Sequence, residues 1–166
     1  MTWTAPKSSF HSLFFADPRV LTAAETSRGI RRRQPRQVRQ EIMKVTRSLV
    51  SVVDDDESVR ESLPDLLREF GFAARAFSSA QEFLASDCVG QTRCLILDIA
   101  MAGMTGPGLQ RELKLRRQEI PIIFITAQRD EAVRSRLLEQ GAVECLFKPF
   151  SDTALLKAIN QAFHPK

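Results

Sequence analysis

Cysteine and histidine are scarce: Cys88, Cys94 and Cys145 are the only thiols and there are two histidines in 166 residues. No C-x-x-C pair and no histidine pattern accompanies the thiols. Neither a disulfide framework nor a zinc site is therefore indicated, and a reducing cytoplasm is the expected setting. No apolar run approaches the roughly 18 residues that a membrane span requires, so a soluble protein is expected. What the chain does have is 43% apolar residues and enough length to enclose a proper core in one domain, with or without a tail.

The small net charge of +4 conceals a division. Residues 1–48 hold ten Lys and Arg against three Asp and Glu, whereas residues 49–166 hold fourteen against seventeen. Basicity belongs to the N-terminal stretch, centred on "RGIRRRQPRQVRQ". Its arginines could bind phosphates with counterion release, and its composition also resembles that of a transit peptide. It lacks sustained periodicity and contains Pro6, Pro18, Gly29 and Pro35, which favours a solvated, disordered tail. Met43 reads as an alternative start running directly into a first strand.

"VSVVDDDESVR", residues 50–60, places three aspartates and a glutamate behind an apolar run. Two carboxylates about 4 Å apart repel by roughly 4 kcal/mol at an effective dielectric near 20. A bound cation would justify the cluster; a solvated turn would make it harmless. From Leu49 onward apolar runs alternate with amphipathic stretches, the pattern of parallel strands covered by helices. The strands are read as 49–53, 73–77, 93–98, 121–126 and 142–147. The helices lie over 58–71, with Val59, Leu63, Leu66, Leu67 and Phe70 on one face, over 79–86 behind a Ser79 cap, from Thr105 through Leu109, Leu113 and Leu115, over 129–141, and over 151–163 behind a Ser151 cap. Pro64 sits inside the first helix, where a kink or local loosening is expected.

The strand ends are polar: Asp54 and Asp55 after the first, Asp98 after the third, Thr126 after the fourth, Lys148 after the fifth. Parallel strands bring their carboxyl ends to one edge of the sheet, where open α/β proteins hold ligands. Three carboxylates from two strands can share a divalent cation, and oxygen ligands without thiol or imidazole favour Mg2+. A hydroxyl and an ammonium beside it complete a site for a phosphoryl group, with Asp98 as covalent acceptor. Taken singly, each residue has another reading: first-turn charges for the acidic run, a turn carboxylate for Asp98, a cap of the fourth helix for Thr126, a surface lysine for Lys148, and packing for Met101 and Met104. Together those readings require independent coincidences at one edge.

Over residues 47–164 the pieces "VVDDDE", "LILDIAMAGMTG", "IIFITA" and "LFKPF" resemble the receiver domain of two-component response regulators. The intervals of 43 residues from Asp55 to Asp98, 28 from Asp98 to Thr126 and 50 from Asp98 to Lys148 are similar to the family's own. The resemblance implies a CheY-like, flavodoxin-like (βα)5 doubly wound parallel sheet of strand order 2-1-3-4-5, with residues 1–46 left as the disordered basic tail. It implies a bacterial, cytoplasmic phosphoacceptor rather than an enzyme, with no turnover beyond slow autodephosphorylation. Asp98 is then the phosphoacceptor and Asp54, Asp55, Asp98 and the Ala100 backbone carbonyl hold Mg2+, Asp54 acting largely through metal-bound water. Thr126 and Lys148 bind the phosphoryl oxygens, Ala127 keeps access open, Ala100 and Gln128 tune the acyl-phosphate lifetime, and the Lys148–Pro149 bond is cis. The implied partners are a sensor histidine kinase and a downstream protein. Homodimerisation would use the fourth helix, fifth strand and fifth helix, and nucleic acid would enter only through the tail.

Two positions depart from the family. Ala102 stands where Pro usually follows Met101, freeing a backbone dihedral. Cys145 stands where an aromatic residue usually couples to the threonine, so transmission to the fourth helix, fifth strand and fifth helix is expected to be weakened or rerouted. The chain stops at Lys166 straight after the fifth helix, which reads as a stand-alone receiver. Two other readings compete: a pseudo-receiver that binds partners constitutively, and a haloacid-dehalogenase-like phosphatase built on the D-x-D of Asp54 and Asp56.

Overall fold

The computed structural model describes residues 47–164. The expectations placed on residues 1–46, namely disorder, phosphate contact and a start at Met43, lie outside the described residues. Five parallel strands form one sheet: β1 Leu49–Val53, β2 Ala73–Phe77, β3 Thr92–Asp98, β4 Ile122–Thr126 and β5 Glu144–Phe147, in the order β2-β1-β3-β4-β5. The helices between and after them are α1 Glu57–Glu69, α2 Ala80–Ala85, α3 Gly106–Leu115, α4 Glu131–Glu139 and α5 Asp152–Phe163. This is the doubly wound, flavodoxin-like arrangement that the alternation of patterns implies.

The central strands are buried on both faces. β4 is buried along its whole length and β3 at every position but Arg93, which is why they read as continuous Ile, Leu and Phe runs rather than as alternations. One apolar cluster joins Leu95, Leu97 and Phe124 to Phe83 of α2, Leu109 and Leu113 of α3 and Leu137 of α4. The other joins Val50, Val52, Ile96, Ile123 and Ile125 to Leu63 and Leu67 of α1 and to Leu155 and Ile159 of α5. Each such side chain contributes roughly 1.5–3 kcal/mol on burial, so α1 and α5 are fixed to one face and α2, α3 and α4 to the other.

Helix starts follow their caps. Asp56, Ser79, Thr105, Asp130 and Ser151 each accept a hydrogen bond from a backbone N–H two or three residues on, satisfying donors that have no partner inside the helix. Thr126 is therefore not the cap of α4; Asp130 is. Gly71 and Gly141 end α1 and α4 at φ 92° and 93°, a conformation that Gly adopts without Cβ strain. Arg117 takes the corresponding position after α3 at φ 56°. Helix α1 runs unbroken through Pro64, whose ring is buried; the loss falls on the Arg60 carbonyl, the acceptor that an N–H at position 64 would have served. Leu115 closes α3 pointing outward, 80% exposed, unlike Leu109 and Leu113.

Gly106 is required for space. A Cβ there would collide with the Asp98 carbonyl oxygen and lie 3.1 Å from both the Ile99 Cα and the Phe124 ring. Two of these obstacles are backbone and the third is a fully buried ring, so none can yield freely. Gly106→Ala is expected to cost about 2–4 kcal/mol, read as a lower urea midpoint with unchanged m-value. A loss under about 0.5 kcal/mol would show that the loop after Asp98 is soft.

Candidate functional site

The carboxyl ends of β1, β3, β4 and β5 meet at one edge. Asp54 leaves β1 fully buried: its Oδ1 accepts from the Asp56 N–H at 2.8 Å, and its carbonyl oxygen accepts from the Arg60 guanidinium at 3.0 Å. Asp55 turns to solvent, and its Oδ2 accepts from the Ala102 N–H at 3.4 Å. Asp98 ends β3 at 6% exposure, with Oδ2 accepting from the Ala100 N–H at 3.1 Å. One carboxylate oxygen from each of Asp54, Asp55 and Asp98 lies within 4.8 Å of the other two.

Lys148 enters this cluster from beyond β5. Its ammonium donates to Asp54 Oδ2 at 2.7 Å and lies 3.3 Å from Asp98 Oδ1. Its backbone N–H donates to the Thr126 carbonyl at 2.7 Å, which fixes the lysine to the end of β4, and the Lys148–Pro149 bond is cis. Thr126, also buried, accepts from the Gln128 N–H through Oγ1 at 3.1 Å. One lone pair of that hydroxyl is thereby occupied and its proton is left free to donate. Ala100, Ala127 and Gln128 are exposed around the mouth of the site.

Burial pushes the Asp98 carboxyl above the usual carboxylate range; Lys148 pulls it down, but burial together with the charges of Asp54 and Asp55 prevails. Lys148 is held above the usual lysine range: burial opposes its charge, but the hydrogen bond to Asp54 and the charges of Asp98 and Asp54 outweigh that. Three carboxylates facing one ammonium leave a surplus of negative charge when all are ionised. The donor set is oxygen only, without thiol or imidazole, and it suits a hard divalent cation of the Mg2+ kind.

The structure also sorts the residues around the site. Asp56, the second carboxylate of the D-x-D reading, is spent on α1, accepting from the Ser58 N–H at 2.9 Å and hydroxyl at 2.7 Å, which holds its carboxyl below the usual range. Met101 is buried and Met104 partly so, both as packing residues. Cys145 is buried in the cluster of α2, α3 and α4, where burial pushes its thiol up to about 11. In place of a ring, an ion pair spans this region. Arg134 of α4 donates to Glu144 at 2.9 Å and to the Cys145 carbonyl at 3.3 Å. Neither Arg60 nor Arg134 was accessible from the pattern of the chain, because a half-buried arginine on a helix leaves the same trace as a solvated one.

Among the described residues no helix is long and apolar enough to cross a membrane. The profile of the response regulator receiver domain matches residues 50–160. The chain is 44% identical over 114 residues to Nodulation protein W of Bradyrhizobium diazoefficiens, covering 69% of this chain and 50% of that protein. It is 39% identical over 133 residues to Response regulator protein TmoT of Ectopseudomonas mendocina, covering 79% and 60% respectively. The solved structure of response regulator StyR superposes with a TM-score of 0.65 at 46% identity, covering 70% of this chain and 59% of that one. The chain thus spans 50–60% of the length of these curated relatives.

Proposed function

Because the chain belongs to the response regulator receiver domain family, a component of two-component signalling, we propose that residues 47–164 form the phosphoacceptor domain and that Asp98 takes a phosphoryl group from a sensor histidine kinase. The observation that carries this reading is the position of Asp98: a buried carboxylate at a strand end, 3.3 Å from the Lys148 ammonium and grouped with Asp54 and Asp55. A carboxylate oxygen of Asp98 attacks phosphorus, the P–N bond of the phosphohistidine breaks, and the imidazole nitrogen leaves with the bonding pair and takes up a proton. The product is an acyl phosphate on Asp98.

Asp54, Asp55, Asp98 and the Ala100 carbonyl are the groups that would hold Mg2+, which when bound neutralises charge on phosphoryl oxygens. Lys148 supplies a second positive charge, already anchored by Asp54. Thr126 offers the free hydroxyl proton to a phosphoryl oxygen. The exposed Ala127 leaves the entrance open to the donor. Slow loss of the acyl phosphate to water would return the resting state, so the domain acts once per phosphoryl group and is not a turnover enzyme. Output passes to a downstream protein by docking in the cytoplasm, with transmission to the face of α4, β5 and α5 weakened or rerouted by Cys145.

Incubation with acetyl phosphate and Mg2+ is expected to add one phosphoryl group, seen by intact mass spectrometry and located on the peptide that contains Asp98 after hydride reduction of the acyl phosphate. Chelation of Mg2+ by EDTA should suppress the gain at least about tenfold. A phosphoryl group on any other residue, or uptake indifferent to EDTA, would defeat the assignment.

A further inference from the structure

The three carboxylates of the acidic cluster are not equally anchored. Asp54 is fully buried, with Oδ1 on the Asp56 N–H and Oδ2 on Lys148, and Asp98 is nearly as buried. Asp55 is exposed, and among the described residues its side chain makes one hydrogen bond, from the Ala102 N–H at 3.4 Å, longer than the usual range of roughly 2.7–3.2 Å. Its direction is therefore set by the main chain. The peptide joining Asp54 to Asp55 is a rigid plane that carries the Asp54 carbonyl and ends at the Asp55 Cα, so whatever fixes that carbonyl also fixes how Asp55 leaves the strand.

The sheet does not fix it. Beyond Val53 the pairing of β1 with β2 continues only through the Asp54 N–H, which donates to the Phe77 carbonyl at 3.2 Å. The Asp54 carbonyl instead accepts from Arg60 Nη1 at 3.0 Å, six residues further on. Arg60 is half-buried in the first turn of α1, and the carboxylates that feel its charge are Asp56 and Glu82. Both are already engaged: Asp56 caps α1, and Glu82 accepts from the Ser78 N–H at 2.6 Å and hydroxyl at 2.8 Å. The guanidinium thus stays on a neutral main-chain oxygen one peptide away from Asp55, as outer groups do that orient metal ligands. We infer that Arg60 is a positioning residue for Mg2+: it holds the Asp54–Asp55 peptide in the orientation that aims the Asp55 carboxylate at the cation, and itself touches neither the cation nor the phosphoryl group. This role rests on the phosphoacceptor reading above.

The test is a Mg2+ titration of the nitrogen-15-labelled full chain, followed through the backbone amides of Asp55 and Ala100, for the parent and for Arg60→Met, which keeps an apolar stem and loses the donor. The dissociation constant is expected to rise about tenfold. The Mg2+ concentration that half-saturates phosphoryl uptake from acetyl phosphate should rise by the same factor, while the rate at saturating Mg2+ falls less than about twofold, a split that a general loss of folded protein would not produce. Arg60→Gln, whose amide nitrogen stops two bonds short of the Nη1 position but remains polar, should lose affinity to the same extent, and it decides the matter where Arg60→Met does not fold. A variant that binds Mg2+ within about twofold of the parent, or that loses saturated rate in place of affinity, would overturn the role of Arg60 and leave the phosphoacceptor reading standing. A parent without saturable Mg2+ shifts would overturn both.

Discussion

Replacement of Asp98 by asparagine is expected to abolish phosphoryl uptake from acetyl phosphate while stabilising the protein in the absence of divalent cations. The first half follows from chemistry: an amide oxygen is a poor nucleophile and an amide cannot form the acyl phosphate, so uptake should fall by about 100-fold or more. The second half follows from the carboxyl's surroundings. Burial, with Asp54 and Asp55 adding repulsion, raises the Asp98 carboxyl above its usual value, so the folded state holds its proton more firmly than the unfolded chain does. Below the unfolded value, 3.8, both states are protonated and the group favours neither. As pH rises past that value, the unfolded chain ionises first and the fold is penalised until the folded carboxyl has also ionised, after which the penalty is constant. The Asn variant lacks this penalty. Its thermal midpoint should exceed that of the parent by a few degrees at pH 7 in EDTA, and the difference should vanish towards pH 3.5. A parent as stable as the variant at pH 7 would mean that Lys148 fully offsets the burial of Asp98.

Lys148→Ala should do the opposite. The substitution strands Asp54, which is fully buried, and Asp98, which is nearly so, with no cation between them. Removing one partner of a buried pair typically costs about 3–5 kcal/mol; because the Lys148 side chain is 22% exposed, about 2–3 kcal/mol is expected here, seen as a lower urea midpoint in EDTA. Two further measurements separate charge from packing. Mg2+ at about ten times its dissociation constant should restore roughly 1.4 kcal/mol, and adding Asp98→Asn to Lys148→Ala should recover part of the loss, a non-additivity expected of groups in contact. A deficit insensitive to both Mg2+ and Asp98→Asn would assign the lysine a packing role through its aliphatic stem.

These effects rest on features of unequal visibility in the chain. The five strands could be read because β3 and β4 are buried on both faces and each apolar run ends abruptly at a polar residue. The meeting of strand ends could be read because parallel strands share a direction. What could not be read is who holds whom. The pairing of Lys148 with Asp54 joins residues 94 positions apart and leaves no periodic trace. The cap of α4 fell to Asp130 rather than Thr126 because the strand-to-helix loop is four residues long, a count that propensity does not supply. Pro64 was expected to disturb α1, but packing of Leu63 and Leu67 against β1 and β2 keeps the helix continuous, tertiary burial outweighing one missing bond. Gly106 carried no signal at all, since its requirement comes from the Asp98 carbonyl and the Phe124 ring, brought beside it only by the fold.

The strand order carries a consequence for the nascent chain. β5 is both the last strand to be synthesised and an edge strand that pairs with β4 alone, and Lys148 follows it. A growing polypeptide therefore emerges from the ribosome with Asp54 and Asp98 already able to be drawn into the interior while their counter-charge is still inside the exit tunnel. Until β5 docks, cellular Mg2+ is the cation at hand to quiet that pair, so early folding of the first four strands should be easier in a magnesium-replete cell than in a depleted one.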